Sequence, residues 1–148
     1  MLGASIPWSP AMAADIRKVT DSFSVAPQIE PGDVDTAKAQ GFVKLINNRP
    51  DGEVPGQPTS AEMEAAARAA GLGYVHIPFA GRPSPEQAAA VAREADAAEG
   101  PVLAFCRSGT RSITAWSLGQ AQAGRRSPKE LVGLAAEAGY DLSAILGG

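Results

Sequence analysis

The residues with the clearest chemical potential form one short loop that begins at the only cysteine of the chain. Cys106 follows an apolar run over residues 102–105, and residues 107–112 after it are small, polar or basic. This composition is typical of a strand–loop–helix junction, where unpaired N–H groups and the helix dipole attract an anion. The same groups, together with Arg111, favour a thiolate over a thiol. We therefore interpret Cys106 as a nucleophile in a loop that binds the anionic group it attacks.

The candidate anion-binding residues lie in the same loop. Arg111 is the strongest of them, because a guanidinium that closes the loop can fold back over a bound anion. The side chain of Ser112 could hydrogen-bond the thiolate or cap the following helix. The remaining candidates contribute backbone amides and small polar or basic side chains: Arg107, Ser108, Gly109 and Thr110.

The spacing between Cys106 and Arg111 narrows the range of reactions that the loop could catalyse. Four residues separate them; tyrosine and dual-specificity phosphatases resemble this pattern but have one residue more, whereas rhodanese-type sulfurtransferases have the shorter loop. A smaller ring of amides suits one persulfide sulfur better than a phosphate group. A phosphatase also needs an acid for its leaving group, and residues 79–84 contain none.

The loop therefore predicts sulfur transfer from thiosulfate or a persulfide to a thiol, through a persulfide on Cys106. A phosphatase that forms a phosphocysteine is the alternative, and a non-catalytic module that binds an anion or a partner is a third possibility. The two enzyme readings imply a small anionic substrate: thiosulfate, a persulfide or a phosphate ester.

Length and composition restrict the remaining choices. A chain of 148 residues that is 45% hydrophobic suits a single globular domain, predicted over residues 18–148, after a flexible arm over residues 1–17. A net charge of −3 argues against a nucleic-acid partner. One cysteine and one histidine offer no ligand set for a metal, and no cofactor is expected. No membrane-spanning stretch is found, and a free thiol suits the cytoplasm.

Apolar strands alternate with capped helices along the chain, which predicts an α/β domain with a mainly parallel central sheet flanked by helices. Strands are predicted over residues 19–26, 42–46, 74–78 and 102–105. Helices are predicted to begin after Asp33, Thr59, Ser84 and Ser127, and near Ile113 beyond the cysteine loop.

Ligands of such sheets bind beyond the carboxyl ends of the parallel strands. Three predicted loops, over residues 47–53, 78–83 and 106–111, would meet at that edge. Arg49, Asp51 and Arg82 would then lie at the rim of a substrate site. His76 is expected to be a packed or hydrogen-bonded strand residue, and not a general base.

Four blocks of the sequence, over residues 24–28, 46–53, 70–78 and 100–112, resemble a known bacterial family. They are similar to the phosphatase-like domain of beta-lactamase hydrolase-like proteins, a family described both as phosphatase and as sulfur transferase. The resemblance implies a fold like that of dual-specificity phosphatases, with Cys106 as nucleophile and Arg111 as the anion-binding arginine. Some relatives carry a fused persulfide-dioxygenase-type domain, which implies that a partner of that type would here be a separate chain.

Overall fold

The computed structural model describes residues 15–147. This part of the chain forms five β-strands: β1 (Arg17–Thr20), β2 (Phe23–Ala26), β3 (Lys44–Asn47), β4 (Gly73–His76) and β5 (Val102–Phe105). It also forms six α-helices: α1 (Val34–Ala39), α2 (Ser60–Ala70), α3 (Pro85–Ala97), α4 (Thr110–Gln122), α5 (Pro128–Glu137) and α6 (Ser143–Leu146).

The strands form one mixed sheet in the order β1-β2-β5-β3-β4. Strand β5 lies at its centre and runs parallel to both β2 and β3, β4 is parallel to β3, and only β1 is antiparallel. Phe105, the last residue of β5, is level with the last residues of β2 and β3. The loops that follow the parallel strands therefore begin at the same edge, as predicted. The α/β fold with a mainly parallel sheet is confirmed.

Helices cover both faces of the sheet because side chains of each strand alternate between two apolar clusters. One cluster joins the sheet to α3, α4 and α5 through Val91, Trp116 and Leu131. The other joins it to α1 and α2 through residues such as Val34 and Met63. The central strand contributes to both clusters and is buried along its whole length, so the cysteine loop starts from the interior of the domain.

The predicted strand over residues 19–26 is wrong in one respect, because the structure has two antiparallel strands there. Asp21 and Ser22 form the turn between β1 and β2, supported by an ion pair with Lys18 and a hydrogen bond with Thr20. Phe23 packs inward as expected, and its ring stacks on Trp116 with centroids 4.7 Å apart. Polar turn residues inside an apolar alternation explain the difference.

Residues near both ends of the described chain belong to the folded domain. Arg17 belongs to β1, one residue before the predicted start of the domain, and residues 1–14 of the predicted arm lie outside the described residues. At the other end, Leu142 is buried in the core and only 1% exposed.

The predicted helix starts after Asp33, Thr59, Ser84 and Ser127 are confirmed, although Asp33 makes no side-chain cap hydrogen bond. Thr59 and Ser84 each accept a hydrogen bond from the third helical N–H within a complete capping box, and Ser127 accepts the corresponding bond from the Glu130 N–H. Helix α4 begins at Thr110, three residues before Ile113, with Gly109 as its left-handed N-cap. Among the helices of the described residues, none combines the length and apolarity that crossing a membrane requires.

Candidate active site

The cysteine loop joins the central strand to α4, and one of its backbone amides contacts the sulfur of Cys106. The backbone N–H of Gly109 donates a hydrogen bond to Cys106 Sγ at 3.1 Å. Gly109 adopts φ +90°, a left-handed conformation that glycine tolerates best. The sulfur thus lies at the beginning of α4, where the helix dipole favours negative charge. Cys106 is fully buried, so its sulfur is shielded from solvent in this structure.

Arg111 lies beside this sulfur with its guanidinium held by a carboxylate. Its Nη1 and Nη2 donate to the two oxygens of Glu53 at 2.9 and 2.8 Å, and Nη1 also donates to the Phe79 carbonyl. The bond with Glu53 is the main cause that raises the pKa of Arg111; burial opposes it, and charge on Cys106 adds to it. Arg111 is therefore positively charged and within electrostatic reach of Cys106.

A second arginine donates to the same carboxylate, and shares the oxygen Oε1 of Glu53 with Arg111. Arg49 is buried, its Nε donates to Glu53 Oε1 at 2.9 Å, and its Nη1 donates to Gln28 Oε1 at 3.1 Å. The hydrogen bond from Arg111, with the weaker help of Arg49, lowers the pKa of Glu53 to about 2 against the opposing effect of its desolvation. Glu53 is consequently ionised at neutral pH and has no proton to donate.

The two hydroxyl residues of the loop bond to each other. Ser108 Oγ donates to Thr110 Oγ1 at 3.0 Å and accepts a long bond from the Thr110 N–H. Ser112 takes neither predicted role: its buried hydroxyl donates to Asn48 Oδ1 at 2.8 Å and thereby joins α4 to the end of β3.

The predicted rim residues have different surroundings. Arg107 is exposed. Asp51 accepts the N–H of Ser60 at the start of α2, so its carboxylate serves that helix. His76 Nε2 bonds the carbonyl of Arg49, as expected of a strand residue. Arg82 is exposed at a cavity of about 250 Å³ that reaches Arg111 and is lined by Gly81, Arg82, Thr110, Arg111, Thr114 and Ile145.

Three residues that contact the site were not among the predicted site residues. Gln28 follows β2, and the loop after β2 was not among the three loops predicted at the site. Glu53 ends the predicted loop over residues 47–53, of which only Arg49 and Asp51 were predicted as site residues. Tyr140, whose hydroxyl donates to the Ser108 carbonyl at 3.0 Å, has no signal in the sequence, because 32 residues separate the two positions.

A cysteine at the end of the central parallel strand, followed by an anion-binding loop and a helix, is the arrangement of Cys-dependent phosphatase-like proteins. The sequence profile described as beta-lactamase hydrolase-like protein, phosphatase-like domain, matches residues 15–123. The chain belongs to this family, which confirms the resemblance inferred from the sequence.

Related proteins and solved structures agree with this assignment. The chain is 38% identical over 128 residues to a beta-lactamase hydrolase-like protein of Agrobacterium fabrum, covering 86% of this chain but only 30% of that relative. The crystal structure of a candidate phosphatase from Neisseria meningitidis Z2491 superposes with a TM-score of 0.78 and 29% identity, over 89% of this chain and 94% of that one. The active form of Tk-PTP has the same fold, with a TM-score of 0.64, 21% identity and 84% coverage of both chains.

These comparisons support the phosphatase alternative better than the sulfurtransferase that loop length predicted. The family and its structural neighbours carry phosphatase descriptions. Loop length alone was a weak guide to the reaction class, because the fold that carries this loop is one that phosphatases also have.

Proposed function

We propose that the protein is a Cys-dependent phosphatase in which Cys106 is the nucleophile and Arg111 binds the phosphoryl group. The observation that carries the proposal is the hydrogen bond from the Gly109 N–H to Cys106 Sγ at the start of α4, with Arg111 beside it. Inward N–H groups and a guanidinium stabilise both a thiolate and the oxygens of a transferring phosphoryl group. The family match and the solved structures support the same class of reaction.

The reaction consists of two displacements at phosphorus. In the first, the Cys106 thiolate forms an S–P bond while the P–O bond to the alcohol breaks, and the alcohol oxygen leaves with the electron pair. In the second, water attacks the phosphocysteine, the S–P bond breaks, and inorganic phosphate and the thiolate are released. Arg111 and the loop amides hold the phosphoryl oxygens throughout.

This site should restrict its substrates by the acidity of the leaving alcohol, because the nearby carboxylate cannot protonate it. Glu53 is the carboxylate that contacts Arg111, and its pKa of about 2 leaves it without a proton. An alkoxide departs poorly without protonation, and a general acid contributes about 10²–10⁴-fold in rate. We therefore expect phosphate esters of acidic phenols to be better substrates than esters of simple alcohols.

The test is phosphate release from a series of aryl and alkyl phosphates. The wild-type protein should release phosphate, with kcat/KM falling steeply as the leaving alcohol becomes less acidic and roughly 10²-fold or more between the extremes. Cys106→Ser should reduce release to background, because a neutral hydroxyl is a far weaker nucleophile. Release that persists in Cys106→Ser would contradict the role of this sulfur.

Sulfur transfer is the second candidate, favoured by two observations. The loop is one residue shorter than in tyrosine phosphatases, and the departure of sulfite from thiosulfate needs no acid, which fits an ionised Glu53. Under this hypothesis the thiolate takes the outer sulfur of thiosulfate, and a persulfide on Cys106 then passes it to an acceptor thiol. A partner of the persulfide-dioxygenase type stays a prediction.

Mass spectrometry separates the two candidates. Protein treated with thiosulfate should gain the mass of one sulfur atom only if sulfur transfer is the reaction, and Cys106→Ser should gain none. If neither phosphate release nor this mass gain occurs, and Cys106 reacts slowly with alkylating reagents, the third reading of a non-catalytic module is supported.

A further inference from the structure

One peptide unit of the cysteine loop is bound at both of its polar ends. The Gly109 N–H points to Cys106 Sγ at 3.1 Å, and the Ser108 carbonyl of the same peptide accepts a hydrogen bond from Tyr140 Oη at 3.0 Å. In a planar trans peptide the N–H and the C=O point in opposite directions. Whatever fixes the carbonyl outward therefore fixes the N–H inward, toward the sulfur.

The local backbone does not select this orientation by itself. Glycine adopts positive and negative φ with similar ease, so Gly109 would also accept the conformation with this peptide turned over. A turned peptide would present a carbonyl oxygen to the sulfur and disfavour its negative charge. A partner outside the loop is needed to choose between the two orientations, and Tyr140 is placed to do so.

Tyr140 is itself held firmly by the ends of the domain. Its N–H bonds the Ala135 carbonyl at the end of α5. The guanidinium of Arg17 in β1 lies 5.9 Å from the centre of the Tyr140 ring and donates to the Ala138 carbonyl. A Cβ at position 109 would overlap the Tyr140 hydroxyl, so the close contact also requires glycine there.

The hydroxyl stays a donor at neutral pH. Burial raises the pKa of Tyr140, the charge of Arg17 lowers it, and charge on Cys106 raises it again, with a net increase above the ordinary value of 10.0. Tyr140 therefore keeps its proton under conditions in which the Cys106 sulfur reacts.

We infer that Tyr140 is a positioning residue for Cys106: its hydroxyl orients the Ser108–Gly109 peptide so that the Gly109 N–H stabilises the thiolate. This goes beyond the proposed function, because it concerns the charge of the sulfur and holds for phosphoryl and sulfur transfer alike. Through Tyr140 and its contact with Arg17, the segment after α5 and strand β1 thus influence the charge of the Cys106 sulfur.

The experiment follows alkylation of Cys106 by iodoacetamide as a function of pH. Cys106 is the only thiol in the chain, so the whole signal comes from it. Tyr140→Phe removes only the hydroxyl and should move the pH of half-maximal alkylation rate upward by about one unit, the loss expected for one hydrogen bond to a charged group. Ser143→Ala is the matched control: it removes a hydroxyl of the same segment that bonds Asp141, and should leave the profile unchanged.

Two further measurements keep the inference open to refutation. The Gly109 amide proton should shift upfield in Tyr140→Phe, because its bond to sulfur is populated for less time. If Tyr140→Phe melts far below the wild type, Arg17→Lys, which keeps the charge but loses the planar contact with the ring, should shift the profile in the same direction by less. A folded Tyr140→Phe with the wild-type pH profile and Gly109 resonance would overturn the inference, whatever the outcome of the phosphatase assay.

Discussion

At the scale of single residues, Glu53 organises the charges next to Cys106, the proposed nucleophile. It contacts two arginines, of which Arg49 is only 4% exposed. A buried cation needs a partner, since an uncompensated charge in the interior is costly. Glu53 therefore has a structural role toward Arg49 and a positioning role toward Arg111, and the two roles can be separated by measuring stability and activity independently.

Replacing Glu53 with Gln should lower the free energy of unfolding at pH 7 by roughly 2–3 kcal/mol, because Arg49 keeps only a neutral partner. The folded-state pKa of Glu53 is about 2, below its ordinary 4.5. The contribution of Glu53 to the free energy of unfolding is thus complete above pH 4.5 and is lost as the pH falls toward 2. Urea unfolding from pH 7 down to pH 3 should show the difference between wild type and Glu53→Gln narrowing below pH 4.5.

Glu64→Gln is the control for this prediction. Glu64 also pairs with an arginine, Arg68, but the pair is exposed on α2, so its loss should cost at most about 1 kcal/mol. Equal effects of the two variants would mean that Glu53 and its arginines stabilise the fold no more than a surface ion pair does.

The individual contacts of the candidate site could be predicted from the sequence only where the residues are contiguous, although the shared edge of three loops was predicted as well. Cys106, Gly109 and Arg111 share one short loop, and the physics of a strand–helix junction applies to them directly. Glu53 and Arg111 are 58 residues apart, and their contact depends on the positions of β3 and β5 in the sheet. No local pattern contains that information.

At the scale of secondary-structure elements, local signals located the helices better than the strands. Caps such as Thr59 with Glu62 are complete within four residues, so the sequence carries the whole signal. The hairpin of β1 and β2 was read as one strand, because its tight turn at Asp21 interrupts the apolar alternation only briefly. The start of α4 was placed late, because a glycine N-cap carries no side-chain signal.

Helix α4, which follows the cysteine loop, packs closely against α3. Gly119 in α4 faces α3 so closely that a Cβ there would overlap the Ala88 carbonyl oxygen. Gly119→Ala should therefore lower the free energy of unfolding by about 1–3 kcal/mol, the usual cost of overpacking. Gly133→Ala is the matched control in α5, where a Cβ meets nothing within 4 Å, and should stabilise by roughly 0.5–1 kcal/mol. Changes of the same sign in thermal unfolding would contradict the packing argument.

At the scale of the whole molecule, the strand order brings the functional loops together. Strands β2, β3 and β5 are adjacent in the sheet although up to 79 residues separate their paired positions, such as Ala26 and Phe105. The sequence indicated parallel strands and a shared edge, yet strand order could not be read from it. That order is what brings Gln28, Arg49 and the cysteine loop to one place.

The core of the domain extends beyond the part of the chain that the family profile matches. The match ends at residue 123, whereas Leu131 of α5 is fully buried in the same cluster as Trp116 and the central strand. Helix α5 is thus part of the folding unit, and it also leads the chain to Tyr140 at the cysteine loop. A variant that weakens α5 should destabilise the entire domain, because a single core unfolds cooperatively.

Leu131→Ala should lower the free energy of unfolding by about 3 kcal/mol, through lost burial and the cavity left behind. Leu134, on the same helix, is only partly buried against the cluster, so Leu134→Ala should cost roughly 1 kcal/mol. Urea unfolding should give one transition in both variants, whether followed by circular dichroism or by tryptophan fluorescence, to which the buried Trp116 of the same cluster contributes. If Leu131→Ala costs no more than Leu134→Ala, or if the two signals separate, α5 is a peripheral addition and the region matched by the family profile folds without it.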